Sequence, residues 1–196
     1  MTLDLSRQNL TSIPPYVHEL NIHTLILSNN NIKKINNLPI TLINLDLSGN
    51  QIMKIENLPN KLEKLDLSGN YIRKIQGLPP KIKEINLSEN KIKHIQNLRK
   101  SIKYIDLYNN QISTLCNIPF NVEYLDISLN KISQINNLGN KLTVLKMYEN
   151  NITNLPNSLI KLNNIKEINY YGNPIQKLSD DIIQWLRQIS TVNLSL

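Results

Sequence analysis

The sequence predicts a solenoid, in which short repeats stack so that one strand from each joins a continuous parallel β-sheet. Three observations predict it. The stretch from Leu62 to Pro79 reads L-E-K-L-D-L-S-G-N-Y-I-R-K-I-Q-G-L-P, and the same pattern runs twenty residues earlier from Leu42 to Pro59 and twenty residues later from Ile82 to Arg99. Asparagine returns in phase at Asn30, Asn50, Asn70, Asn90, Asn110, Asn130 and Asn150. Within each period the apolar residues first alternate with a period of two and then fall three apart. Self-similarity at a fixed short period is the signature of a stacked-repeat architecture.

The unit is L-x-x-L-x-L-x-x-N-x-I-x-x-I-x-x-L-P, with positions numbered 1 to 18 from its first leucine. Positions 4 and 6 alternate with period two, so both leucines point inward and their neighbours point out. Position 6 is filled by Leu5, Leu27, Leu47, Leu67, Leu87, Leu107, Ile127 and Met147. The asparagine at position 9 ends the strand and turns the chain inward. Its amide carries donors and an acceptor, enough to satisfy backbone groups at a buried turn, and one amide per unit makes a ladder. Positions 11, 14 and 17 fill the rest of the core. A twenty-residue period leaves little room for a helix on the return path. One unit cannot bury its own apolar face, but a stack can.

Over nearly its whole length the pattern resembles the leucine-rich repeat family, L-x-x-L-x-L-x-x-N-x-L. The period of about 20 residues with L-P at its end is similar to the short repeats of bacterial effectors. The N-x-I-x-x-I-x-N-L phrase is similar to the longer phosphatase-regulator type, and the bias toward Asn, Ile and Lys is similar to leucine-rich repeat proteins of amoebal giant viruses. The resemblance implies a leucine-rich repeat solenoid shaped as a curved right-handed horseshoe, with a parallel β-sheet on its concave face and extended segments or short turns on its convex side. It also implies a non-enzymatic protein–protein interaction module that binds through the concave face, in the manner of a viral or effector-type protein acting on a host partner.

The chain reads as a single domain over 1–196. Residues 1–24 form an atypical first repeat or cap, with Gln8 where asparagine is expected, 22 residues from Leu5 to Leu27, and Pro14-Pro15 stiffening the return. Residues 25–144 are regular repeats. Pro39, Pro59, Pro79 and Pro119 recur at position 18, and Arg99 and Gly139 in their place predict a locally looser return. Residues 145–178 are longer repeats. L-P-N-S-L-I-K-L lies on one return, and Asn173-Pro174 marks a ninth strand end with Tyr170 in place of leucine. Residues 179–196 form a helical C-terminal cap and tail. Ser179 suits an N-cap, Asp180 and Asp181 suit a helix N-terminus, and Ile182, Ile183, Leu186 and Ile189 lie at helical spacing. This predicts a helix over 179–190 that lids the stack, with Trp185 packed beneath it and a strand-like tail over Thr191–Leu196.

Cys116 is the single cysteine, so no disulfide forms within a monomer. The first strand, Leu3-Asp4-Leu5, follows Met1 without room for a signal peptide, and no apolar run approaches membrane-spanning length. These features point to a reducing, cytoplasmic setting, which for a viral protein means the host cytoplasm or the virion. The sequons at Asn9, Asn86, Asn151 and Asn193 read as accidents of an Asn-rich chain. His18, His23 and His94 are the only histidines, and they do not pair with Cys116 in repeat phase. No metal-ligand spacing, Gly-rich dinucleotide motif or P-loop is present, so neither an enzyme nor a cofactor is expected.

The repeat sorts the charges by face. Positions 3, 5, 7 and 8 form the outward concave surface. It holds Asp4, Asp46, Asp66, Glu84, Glu89, Asp106, Asp126, Glu149 and Glu167 against Arg7, Lys64 and Lys146, a formal charge of −6, while the rest of the chain carries +13 and the whole +7. Tyr104 and Tyr124 share position 3 on adjacent strands, close enough to stack. Tyr108, Tyr148 and Tyr171 occupy position 7, where the upstream column is Ser6, Ser28, Ser48, Ser68 and Ser88. Tyrosine is favoured in binding hot spots, and Asp106, Asp126 and Glu167 flank the cluster. These eight residues are the candidate partner-binding site. The competing reading is that aromatic pairs stabilise an exposed sheet, and that the aspartate column is a solvated row. The partner implied is a basic or amphipathic protein segment, with the chain itself a monomer or weak homo-oligomer. An alternative site is the basic flank after the asparagine turns: Lys33, Lys34, Lys54, Arg73, Lys74, Lys91 and Lys93. It suits nucleic acid or an anionic surface, although a run of charge is more often a solubilising face. A purely structural repeat array is the remaining reading.

Overall fold

The computed structural model describes residues 1–136 and 138–193. Its short strands follow one another along a single parallel sheet: β1 (Thr2–Asp4), β2 (Thr24–Ile26), β3 (Asn44–Asp46), β4 (Lys64–Asp66), β5 (Glu84–Asn86), β6 (Tyr104–Asp106), β7 (Tyr124–Asp126), β8 (Val144–Lys146), β9 (Glu167–Asn169) and β10 (Thr191–Asn193). Spatial order equals sequence order, which is the topology of a solenoid. From β2 to β8 the register advances by one unit per strand, as in Leu45↔Leu65 and Ile85↔Ile105. Leu42, Leu45, Leu47, Ile52 and Ile55 of one unit are buried, and their equivalents continue the core along the stack.

The asparagine ladder takes the form its amide chemistry requires. Asn90 Nδ2 donates to Leu67 O at 2.9 Å and Leu87 O at 3.1 Å, while its Oδ1 accepts the Ile72 N–H at 2.9 Å. The same pattern holds from Asn50 to Asn150, and Asn173 continues it to Met147 O and Ile152 N. Each side chain thus ties its own strand end to the preceding unit. A second ladder, not anticipated from the sequence, lies on the return path. Asn37, Asn57 and Asn97 adopt positive φ and donate to Ile13 O, Ile35 O and Ile75 O. Gly77 replaces asparagine in that column, and a Cβ there would come within 2.7 Å of Ile55 O.

The residue just before each position-9 asparagine also has positive φ. Asn29, Gly49, Gly69, Asn109 and Gly172 tolerate this, but Glu89, Leu129 and Glu149 adopt it too. The turns that begin at Arg99 and Gly139 are closed as they are after proline. Ile102 N donates to Arg99 O at 3.2 Å and Leu142 N to Gly139 O at 3.3 Å, the same turn that Pro59 and Pro79 close. The turn rests on a backbone carbonyl, which any residue supplies.

Regular units return without helix. The two longer returns each carry a 3-10 helix, Pro15–Glu19 and Asn157–Lys161, each beginning after a proline in extended conformation or its equivalent, Pro14 and Pro156. Helix α1 (Asp180–Leu186) starts at Ser179, whose Oγ accepts the Ile182 N–H, but it ends several residues short of 190. Residues 187–190 instead turn the chain into β10, which pairs with β9. The stack therefore ends in a strand as well as a helix, with Trp185 buried beneath. The last part of the strand-like tail, 194–196, lies outside the described residues.

Candidate functional site

The outward aspartates of position 5 have a backbone role. Asp46 Oδ1 accepts the Ser48 N–H at 2.8 Å and its hydroxyl at 2.7 Å, and Asp66 does the same for Ser68 at 2.8 and 2.6 Å. Asn86 holds Ser88 in the same way. Asp106 and Asp126 accept from Tyr108 N and Ser128 N, each at 2.9 Å. These are Asx turns that close each strand end. The D-L-S spacing was the signal for them, and it replaces the picture of a merely solvated row. The turn consumes one carboxylate oxygen, and the column retains its charge.

Over this column the tyrosines assemble. Tyr104 and Tyr124 are register partners on β6 and β7, and their rings stack with centroids 4.2 Å apart and planes 9° from parallel. Tyr108 and Tyr148 lean toward each other across the intervening strand, 6.2 Å apart at 49°. Ser128 lies between them in sequence phase, fully buried, and its hydroxyl has no partner among the described residues. Asp126 is only 7% exposed. Burial pushes Asp106 up to about 6, reinforced by the neighbouring Asp126 and Asp66 charges and opposed by the Tyr108 N–H and Lys146. Burial raises Asp126 as well. It also raises the phenols of Tyr104, Tyr124 and Tyr148, the last two to about 12, so they are neutral hydrogen-bonding groups at physiological pH.

Glu167 and Tyr171 behave differently from the other candidates. Glu167 pairs with Lys146 at 3.5 Å, and Lys146 Nζ also lies 5.6 Å from the Tyr124 ring centre. Tyr171 is 52% exposed beyond β9 and stacks on none of the four clustered rings. On the other side of the cluster is a concave trough of about 370 Å³, lined by Asp46, Lys64, Asp66, Glu84, Asn86 and Tyr104 among others. Lys64 and Glu84 pair across it at 2.8 Å. Sequence reasoning did not single out this trough, because it depends on where Tyr104 ends the run of non-aromatic side chains Thr24, Asn44, Lys64 and Glu84.

The basic flank lies off the sheet. Lys33, Lys34 and Lys54 line one depression with Met53 and Tyr71, and Arg73, Lys74, Lys91 and Lys93 line the next with His94. Lys91 Nζ sits 4.7 Å over the Tyr71 ring, which ties the two together. Among the described residues there is no group of His, Cys, Asp and Glu able to hold a metal ion, and no helix long and apolar enough to cross a membrane.

Residues 40–80 match the family model described as leucine-rich repeats (2 copies). The fold is that of a leucine-rich repeat solenoid. Its fold is similar to that of YopM from Yersinia enterocolitica, with TM-score 0.63 and 24% identity over 86% of this chain and 45% of that one. It is likewise similar to a Shigella effector leucine-rich repeat domain, with TM-score 0.68 and 24% identity over 97% of this chain and 81% of that one. Internalin C2 from Listeria monocytogenes aligns with TM-score 0.74 and 28% identity, over 87% of this chain and 79% of that one. The chain thus spans less than half of YopM. No curated protein matches it by sequence.

Proposed function

We propose that this leucine-rich repeat solenoid is a non-enzymatic interaction module that takes a basic or amphipathic segment of a protein partner on its concave face. The observation that carries this reading is the tyrosine cluster over Asp106 and Asp126, beside an acid-lined trough. Rigid aromatic area with neutral hydroxyls, next to unneutralised carboxylates, suits a cationic, partly apolar segment. We extend this reading to an effector-type role with a host protein as partner, a role prompted by the fold likeness to a Shigella effector domain. A reducing compartment fits the single exposed thiol of Cys116.

Affinity capture from cell lysate tests the reading, comparing the wild type with a Tyr104/Tyr108/Tyr124/Tyr148→Ser variant, each with and without nuclease. A protein partner retained through nuclease and lost in the variant is the expected result. A second reading, binding of nucleic acid or an anionic surface, is favoured by the two adjoining lysine- and arginine-lined depressions of the flank. Capture that disappears with nuclease and ignores the tyrosines would move the function there.

A further inference from the structure

We propose that the concave trough receives an arginine side chain of the partner, its guanidinium lying flat on the open face of the Tyr104 ring and reaching Asp66 and Glu84. This inference rests on the concave-face reading and specifies its chemistry.

The argument starts from the stack. Tyr124 on β7 covers one face of the Tyr104 ring. The other face looks toward β5, where the register partner of Tyr104 is Glu84, and Tyr104 accordingly lines the trough together with Glu84, Asp66 and Lys64. Neighbouring strands lie about 4.8 Å apart, so a planar group resting on that open face continues the stack above β5. A planar cation is the group that both the aromatic face and the carboxylates favour.

The carboxylates are available. Asp66 uses Oδ1 for its own turn, and its Oδ2 takes one hydrogen bond from Asn86 Nδ2 at 3.0 Å, which leaves acceptor capacity free. Glu84 is held by Lys64 in a solvent-exposed pair, a weak interaction that an incoming guanidinium can replace. Within the trough Asp46, Asp66 and Glu84 outnumber Lys64, so the site is short of positive charge. A lysine ammonium would meet the same carboxylates but has no plane to lay on the ring and no fork to bridge two acceptors. Ring and charge together therefore select arginine over lysine.

The test uses the full chain and two labelled peptides of equal length and charge, one alternating arginine and glycine, the other lysine and glycine. Fluorescence anisotropy is measured at about 0.15 M salt. The arginine peptide is expected to bind about tenfold more tightly. Tyr104→Leu is expected to bring the two peptides within about twofold of each other. Asp66→Asn weakens the arginine peptide while keeping the acceptor for Ser68, as Asn86 does naturally for Ser88. Equal affinity of the two peptides for the wild type, no binding of either, or an arginine preference that survives both substitutions overturns the proposal. If the peptides bind equally while lysate capture still depends on the tyrosines, arginine recognition fails and the concave-face reading stands. If capture ignores the tyrosines, both fail.

Discussion

Replacing Asp106 by asparagine should stabilise the protein, and do so only above mildly acidic pH. The Asp106 carboxyl is raised from 3.8 to about 6 in the folded chain, chiefly by burial and then by the Asp126 and Asp66 charges. A raised carboxyl binds its proton more tightly when folded, so its contribution to stability is fully present below about pH 4 and is lost as pH rises through about 6. A shift of about two units corresponds to about 3 kcal/mol. Because the carboxylate keeps contact with solvent, screening reduces that to about 1–2 kcal/mol. Asparagine removes the charge and retains the acceptor for the Tyr108 N–H, the task Asn86 and Asn169 perform for Ser88 and Tyr171. Urea unfolding followed by circular dichroism between about pH 4 and pH 8 should show the variant and the wild type converging at the acid end. At the alkaline end Asp106→Asn should be more stable by about 1–2 kcal/mol, or about 2–8 °C in Tm for a chain of this size. Removing the Asp106 charge also eases ionisation of the coupled Asp126, which acts in the same direction. Parallel pH profiles, or a variant less stable at about pH 8, would refute the claim that this carboxylate is held desolvated beneath the tyrosines.

Three further substitutions probe the scaffold. Asn90→Leu strands Leu67 O, Leu87 O and the Ile72 N–H in the interior and should cost at least about 3 kcal/mol, whereas Ser88→Ala should cost about 1; equal melting shifts would count against the ladder. Leu129 holds φ at 52°, so Leu129→Asn should raise stability by about 1 kcal/mol in a chemical denaturation curve, and a loss of stability would show that its side-chain packing outweighs the strain. Deleting 179–196 removes α1 and β10 and uncovers Ile168 and Tyr170, so aggregation or a lower Tm is expected, and an unchanged melt would mean that the preceding units close the stack unaided.

The parts of this fold legible in the sequence are those fixed by one residue type recurring in one phase. The inward leucines and the position-9 asparagines are of that kind, because each unit faces the same buried geometry and answers it with the same side chain. The positive-φ residue before each asparagine was harder to see. Gly49 and Gly69 signal it, but Glu89, Leu129 and Glu149 adopt the same conformation without the usual residue type, under the pull of ladder bonds such as Glu89 N to Tyr108 O. The second asparagine ladder is interrupted by Gly77 and was hidden for the same reason. At the C-terminus the helical spacing of Ile182 to Ile189 was real, since Ile189 is buried, but pairing of Thr191–Asn193 with β9 took the last turn away from the helix. The role of the position-5 aspartates was written as D-L-S and misread because exposed carboxylates invite an electrostatic explanation before a backbone one.

The energetics of the tyrosine cluster bear on whether it serves the sheet or a partner. The solenoid does not need aromatic residues at these positions, because Thr24, Asn44, Lys64 and Glu84 occupy the same column on β2 to β5 with the same register. A stacked aromatic pair contributes about 0.5–1.5 kcal/mol beyond its buried area. Against this, the cluster leaves Asp106 partly desolvated, at a cost of about 1–2 kcal/mol above its titration. Gain and cost are of the same size, so the cluster is poorly explained as a stabilising device. On the proposed reading, a cation from a partner would change that balance: it would offset the repulsion along the aspartate column and use the Tyr104 ring face that lines the trough. On the proposed concave-face reading, binding would relieve this cost, and Asp106→Asn should weaken partner binding while it strengthens the fold. A substitution that raised both stability and affinity would refute this link between the two.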